Sequence, residues 1–223
     1  MAARLTLVVP VLNEAPGLAA SLQALAPLRS RGHELIVVDG GSDDASASIA
    51  APLADRVLRA PRGRAVQMNA GARAASGDVL VFVHADTRLP PQAEEEILSS
   101  LDKHRWGRFD VAIEGRHPGL RVVAAAMNLR SRLSGIATGD QAIFVRRAEF
   151  PGFPEIALME DVALSRVLKR RGRPACLRSR VRTSGRRWES RGVLRTVLLM
   201  WRLRLLYWLG VAPERLARRY YEW

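Results

Sequence analysis

Glu34-Leu35-Ile36-Val37-Val38-Asp39-Gly40-Gly41-Ser42 and Val79-Leu80-Val81-Phe82-Val83-His84-Ala85-Asp86 are two short apolar runs, each delivering an acid where the run gives way to a loop. Near-continuous apolar runs of this length read as strands buried on both faces, the pattern of a parallel sheet covered by helices. In an open α/β sheet the crevice that takes a ligand lies beyond the carboxyl ends of the strands. A loop carboxylate there, beside a diphosphate, is well placed to hold a divalent cation. The two runs therefore predict an α/β fold with a site for a nucleotide diphosphate at the strand ends.

The flanking sequence repeats strand and helix. Residues 5–12 form a further uncharged strand, and residues 15–28 follow with leucines at helical spacing. After the strand over 34–38, Ser42 or Asp43 is the expected N-cap of a helix reaching residue 54, followed by a brief strand over 56–58 and a helix over 65–75. Ser76-Gly77 breaks the pattern before the strand over 79–83, and Pro90-Pro91 opens another helix with Glu94, Glu95 and Glu96 near its start. This alternation predicts a mostly parallel sheet flanked by helices. Beyond residue 101 the rhythm loosens into strands over 109–113, 142–145 and 175–181 and helices over 120–133 and 160–171, the last ended by Gly172. The expected organisation is a catalytic domain over 1–190, divided into a nucleotide-binding half (1–101) and an acceptor half (102–190), with a C-terminal helical appendage over 191–223.

The 223 residues are 48% hydrophobic, enough for a sizeable core. A single cysteine, Cys176, rules out an intrachain disulfide, and Met1-Ala2-Ala3-Arg4 runs straight into a strand with no signal peptide, so a cytoplasmic location is expected. The net charge of +13 fits nucleic acid, an anionic membrane face or a phosphate-rich substrate. It is concentrated late in the chain: from Arg166 onward the only acids are Glu189, Glu214 and Glu222.

Several residues have the chemistry for such a site. Pro10 and Val11 stiffen the exit of the first strand, where Asn13 and Glu14 can cap a helix or face a ligand. Asp39 can accept from a uracil imide N–H or a ribose hydroxyl, with Gly40 and Gly41 permitting close approach; the same residues can equally form an Asx turn. His84, Ala85 and Asp86 follow the second run, and Asp86 can face a diphosphate-bound Mg2+ or Mn2+. Arg64 can meet a phosphate. Gly139, Asp140 and Gln141 offer a turn, a carboxylate and an amide for an acceptor pocket. Glu160 and Asp161 open a helix, where a carboxylate can serve as general base. Arg186, Arg187 and Trp188 combine guanidiniums for a pyrophosphate leaving group with a flat face for a sugar.

Taken in order, residues 10–14, 39–42, 84–86, 139–141 and Glu160-Asp161 resemble the motifs of family 2 glycosyltransferases with the GT-A fold, over most of the chain. The compact size, residues 62–69 and residues 183–189 look like the small bacterial group known as selenodomain-associated transferase 2. The resemblance implies an inverting transfer from a nucleotide sugar, a UDP-sugar foremost, to a small-molecule or lipid hydroxyl acceptor. It implies that Pro10, Val11, Glu14, Asp39, Gly41, Arg64, His84 and Ala85 lie around the donor and Asp86 on the metal. Asp161 would be the base supported by Glu160, and Gly139, Asp140, Gln141, Arg187 and Trp188 would lie near the acceptor. The chain departs from the pattern in two places: His84 stands where the metal motif usually has an acid, and only Arg187-Trp188 remains of the Gln-x-x-Arg-Trp sequence of processive members.

Residues 193–211 are rich in Leu and Trp but interrupted by Arg195, Arg202 and Arg204, which speaks against a spanning helix. Amphipathic helices docked on the inner membrane surface are one expectation, and packing on the catalytic body or in a homodimer the other. Two rival functions are weaker. A nucleotidyltransferase calls for a Gly-rich basic loop after the first strand, which residues 10–14 lack. A nucleic-acid binder calls for a reading element, and none is recognisable, so nucleic acid is not expected as a partner.

Overall fold

A computed structural model describes residues 3–221; Met1 and Ala2, where no signal peptide is expected, and Glu222 and Trp223, the end of the expected appendage, lie outside the described residues. Strand β1 (Leu5–Val11) is buried along its whole length and is followed by two short helices, α1 (Ala15–Gln23) and α2 (Ala26–Ser30), rather than the single helix expected over 15–28. Pro16 and Gly17 take non-helical angles inside α1, and Pro27, which has no backbone N–H to donate, falls in the first turn of α2. Next come β2 (Glu34–Asp39), α3 (Ser46–Ala50) and β3 (Arg56–Arg59). The expected cap at Ser42 or Asp43 is a correction: α3 starts four residues later than Ser42, because Ser42 donates to Asp39 and the Asp43 N–H is taken by Asn13.

The chain then forms α4 (Arg64–Ala74), β4 (Val79–Phe82), the two-residue β5 (Thr87–Arg88), α5 (Ala93–Leu101), β6 (Trp106–Glu114) and α6 (Gly119–Ser134). A 3₁₀ turn over Gly139–Gln141 precedes β7 (Phe144–Arg146); Ala142, expected to be in that strand, sits instead at φ 45° in the left-handed region. Then follow α7 (Glu160–Arg171), β8 (Ala175–Ser184), α8 (Arg186–Arg191), α9 (Val193–Trp208) and α10 (Pro213–Tyr221).

The eight strands form one mixed sheet in the order β3-β2-β1-β4-β7-β6-β8-β5. Strands β1 to β4 are parallel, β7 runs against both β4 and β6, and β8 pairs parallel to β6. From β1 the chain builds outward to β3, then crosses back to place β4 on the other side of β1. The carboxyl ends of β1 and β4 therefore flank the point where strand order reverses, the usual location of a crevice in such sheets.

Successive strand residues point to opposite faces, and each face has its own core. Leu7, Val9, Leu35, Val37 and Val81 pack with Leu18 and Leu22 of α1 and Ile97 of α5. Val8, Ile36, Val38, Leu80 and Phe82 pack with Met68 and Ala72 of α4 and Leu164 and Leu168 of α7. Gly71 lets α4 close onto β1, since a Cβ there would collide with the Val8 side chain. A third cluster joins Met159 and Val162 to Leu203 of α9 and Leu216 and Tyr220 of α10, so the C-terminal helices pack against the start of α7. Among the described residues no helix is long and apolar enough to cross a membrane.

Candidate active site

A cleft of about 700 Å3 opens at the reversal point, a size suited to a ligand of nucleotide-sugar class. Its floor is the exit of β1, where Asn13 takes a left-handed φ of 54°, a conformation asparagine tolerates better than most residues. The Asn13 N–H donates to Ser42 Oγ (3.0 Å) and its Oδ1 accepts from the Asp43 N–H (2.9 Å), tying the loops after β1 and β2 together. Gln67 of α4 donates to the carbonyls of Val11 and Val38, both at 2.8 Å, and locks those strand ends to the helix.

Of the residues expected around the donor, Pro10, Val11, Glu14, Arg64, His84 and Ala85 line the cleft, as does Asp86. Asp39 and Gly41 do not. The buried Asp39 carboxylate accepts from the Gly41 and Ser42 N–H groups and the Ser42 hydroxyl, the Asx turn that the sequence also allowed. Asp140, Arg187 and Trp188 of the expected acceptor set line the cleft, whereas Gly139 and Gln141 lie behind it. Gly139 packs against the His84 ring, where a Cβ would collide, and Gln141 is fully buried with its amide 3.4 Å from Asn128.

Two sets of opposite charge face each other. Arg62 and Arg64 stand at the start of α4, Arg186 and Arg187 at the start of α8. Arg187 is depressed by burial and then by the charge of Arg64, so the two guanidiniums repel across a space that an anion would relieve. The Arg64 side chain is open to water yet enclosed by the cleft; burial works to lower it, but Glu160, Asp140, Tyr221 and Asp161 together leave it raised. On the acidic side, Asp140 would be raised by burial, but the hydrogen bond and charge of His84, with Arg64 and Arg187, hold it below the usual carboxylate range. His84 Nδ1 lies 3.4 Å from Asp140 Oδ1.

Glu160 and Asp161 sit one layer deeper, where the left-handed Met159 (φ 70°) turns the chain into α7. Burial and then the Asp161 charge push Glu160 up to about 7. Asp161 is also raised, by burial first, although its oxygens accept from the Gly139 N–H (2.9 Å) and the Val162 N–H (2.7 Å). Each oxygen keeps a lone pair beyond these bonds.

Among the described residues no three His, Cys, Asp or Glu side chains gather as a ready-made metal centre. Glu14 and Asp86 face the cleft near each other, with the His84 imidazole also close. Asp86 lies close enough to Glu14 that its charge follows burial as the cause of the raised Glu14 carboxyl, and Thr183 Oγ1 is 3.4 Å from Asp86 Oδ1. One or two carboxylates completed by phosphate oxygens and water suit a hard divalent cation, so these residues fit one.

Sequence reasoning missed the far wall. Thr196 and Met200 of α9 and Tyr220 and Tyr221 of α10 line the cleft opposite β1. Arg187 lies over the Tyr220 ring, 4.7 Å from its centre, and hydrogen-bonds its hydroxyl. The aromatic pair at the chain's end was the one local signal for this wall.

The model of glycosyl transferase family 2 matches residues 6–145. Over 159 residues the chain is 28% identical to an undecaprenyl-phosphate 4-deoxy-4-formamido-L-arabinose transferase of Pseudomonas fluorescens (strain Pf0-1), covering 63% of this chain and 45% of that one, so it spans less than half the length of that relative. Among solved structures, S. aureus TarS 1-349 in complex with UDP-GlcNAc superposes with a TM-score of 0.63 at 17% identity, covering 81% of this chain and 58% of that one. Glucosyl-3-phosphoglycerate synthase from Mycobacterium tuberculosis, in complex with Mn2+, UDP and glucosyl-3-phosphoglycerate, gives a TM-score of 0.61 at 20% identity, covering 82% and 71%. At these identities the structures speak for a shared fold.

Proposed function

The chain belongs to glycosyl transferase family 2, and from that premise we propose that it transfers a sugar from a nucleotide-diphosphate donor, a UDP-sugar foremost, to a hydroxyl acceptor with inversion at the anomeric carbon. The observation that carries this reading is the meeting, in one cleft at the carboxyl ends of β1 and β4, of Arg64 from the start of α4 and Arg187 from the start of α8 with Asp86 and Asp140. In the proposed reaction the acceptor oxygen attacks the anomeric carbon, Asp161 takes the hydroxyl proton, and the bond to the diphosphate oxygen breaks with its electron pair. Arg64 and Arg187 stabilise the charge that accumulates on the departing diphosphate. Glu160 keeps Asp161 in place at the start of α7. Residues 1–101 would form most of the donor site and residues 102–190 most of the acceptor site, with Arg187 reaching across to the donor's diphosphate.

Asp86, aided by Glu14, would hold a divalent cation. Mg2+ or Mn2+ there supplies Lewis-acid neutralisation of the diphosphate. Support for UDP and for the cation comes from what the structurally similar TarS and glucosyl-3-phosphoglycerate synthase bind. Support for a lipid acceptor at the inner membrane face comes from the lipid phosphate named in the Pseudomonas relative and from the arginine-rich C-terminal helices.

A thermal-shift screen of UDP-, GDP- and dTDP-sugars, with and without Mn2+, tests the reading. A rise in Tm with one nucleotide sugar that Mn2+ enlarges is the expected result; no response to any of them would refute it.

A further inference from the structure

We propose that the exposed faces of α9 and α6 form a docking platform for an anionic lipid bilayer. Leu194, Leu198, Trp201, Leu205 and Trp208 of α9 are each 56–71% exposed. At 3.6 residues per turn they fall within about 80° of one another. Their spacing of four, three, four and three residues is that of a helix face made to be covered, yet the buried side of α9, with Thr196 and Leu203, is the opposite one. Neighbouring α6 repeats the pattern with Val122, Leu129 and Leu133, all more than half exposed. The starts of the two helices adjoin, Val193 Cγ1 lying 3.5 Å from where a Cβ on Gly119 would stand. A stripe of five large exposed apolar side chains along one helix face marks an interaction site.

Charge decides the partner. Neither α6 nor α9 contains an Asp or Glu. Exposed Arg195 and Arg202 run along one flank of the α9 stripe and exposed Arg121 beside that of α6, and among the described residues none of the three has an acidic partner. A second copy of the chain would bring the same uncompensated arginines to the interface. A bilayer surface with anionic head groups receives both the apolar stripe and its cationic rim, with the tryptophans at the head-group level. Met200 on α9 also lines the cleft, so one helix would connect the lipid surface to the site. The inference deepens the lipid-acceptor reading given above, but vesicle binding is measured without any transfer reaction, so each can fail alone.

The test is co-sedimentation of the full chain with phosphatidylcholine vesicles, with and without about a third phosphatidylglycerol. Sedimentation with the anionic vesicles, weakened by salt, is expected, and Trp201→Glu with Leu205→Glu should reduce it by about tenfold or more without altering the thermal unfolding curve. If that variant fails to fold, Arg195→Glu with Arg202→Glu should produce the same loss. Absence of binding to anionic vesicles, binding indifferent to both variants, or a solution dimer that Trp201→Glu splits while vesicles are ignored would each overturn the platform.

Discussion

The Arg187 guanidinium is held by Tyr220 twice, by the face of the ring at 4.7 Å and by a hydrogen bond to the hydroxyl. A residue of the last helix thus fixes a cation that faces Arg64 across the cleft. Left alone, Arg187 would swing toward water, because burial and Arg64 both disfavour its charge where it stands. Tyr220→Ala should raise the donor KM about tenfold with a smaller change in kcat, and Tyr220→Phe, which keeps the cation–π contact, should fall between. Steady-state kinetics on the two variants measure this. Equal values for Ala and wild type would remove Tyr220 from donor binding.

Asp161→Asn should lower kcat by roughly 10²–10⁴-fold while donor affinity, followed by calorimetric titration, changes by less than about threefold. Asp140→Asn provides the contrast, since Asp140 lines the cleft directly and pairs with His84. Its kcat loss should be the smaller of the two. A reversed order would transfer the base role to Asp140.

Asp86→Asn should raise the Mn2+ concentration needed for half-maximal activity by about tenfold or more, because an amide is a much poorer ligand for a hard cation. Manganese paramagnetic resonance in the presence of UDP reads the same loss without turnover. An unchanged requirement would place the cation elsewhere.

Glu160 keeps its proton in the folded chain up to about pH 7, whereas the unfolded chain releases it near 4.5. Between those values the folded state binds more protons, so the Glu160 contribution favours folding at the acid end and is lost as pH rises through about 7. Melting curves from pH 5 to 8 should show wild type losing roughly 5 °C relative to Glu160→Gln across that window. Parallel curves would mean that the buried carboxyl does not titrate there.

Gly71→Ala tests the packing of α4 on β1. Alanine improves helix propensity by about 1 kcal/mol, but the new methyl would overlap Val8 and sit 3.1 Å from Val38, both fixed in buried strands. Overpacking of about 1–3 kcal/mol should win, leaving a net loss detectable by urea denaturation.

The parallel half of the fold was legible because its signals are local: the runs ending at Asp39 and Phe82 are apolar, short and bounded by turn residues. So were the start of α7 at Glu160 and its stop at Gly172. Residues at strand ends on the reversal point, Glu14, His84 and Asp86, line the cleft. Asp39 does not, since a carboxylate followed by Gly-Gly-Ser has amide and hydroxyl donors within its own turn, and this competes with any ligand. The contact between Arg187 and Tyr220 joins side chains 33 positions apart on separate helices, and no periodicity or spacing encodes such a meeting.

Because Thr196, Met200, Tyr220 and Tyr221 close one side of the cleft, the pair of helices α9 and α10 is the natural place for selectivity to diverge. Exchanging it between relatives would recast the far side of the chamber while the inherited sheet stayed as it is. Cutting it away would leave an open trough.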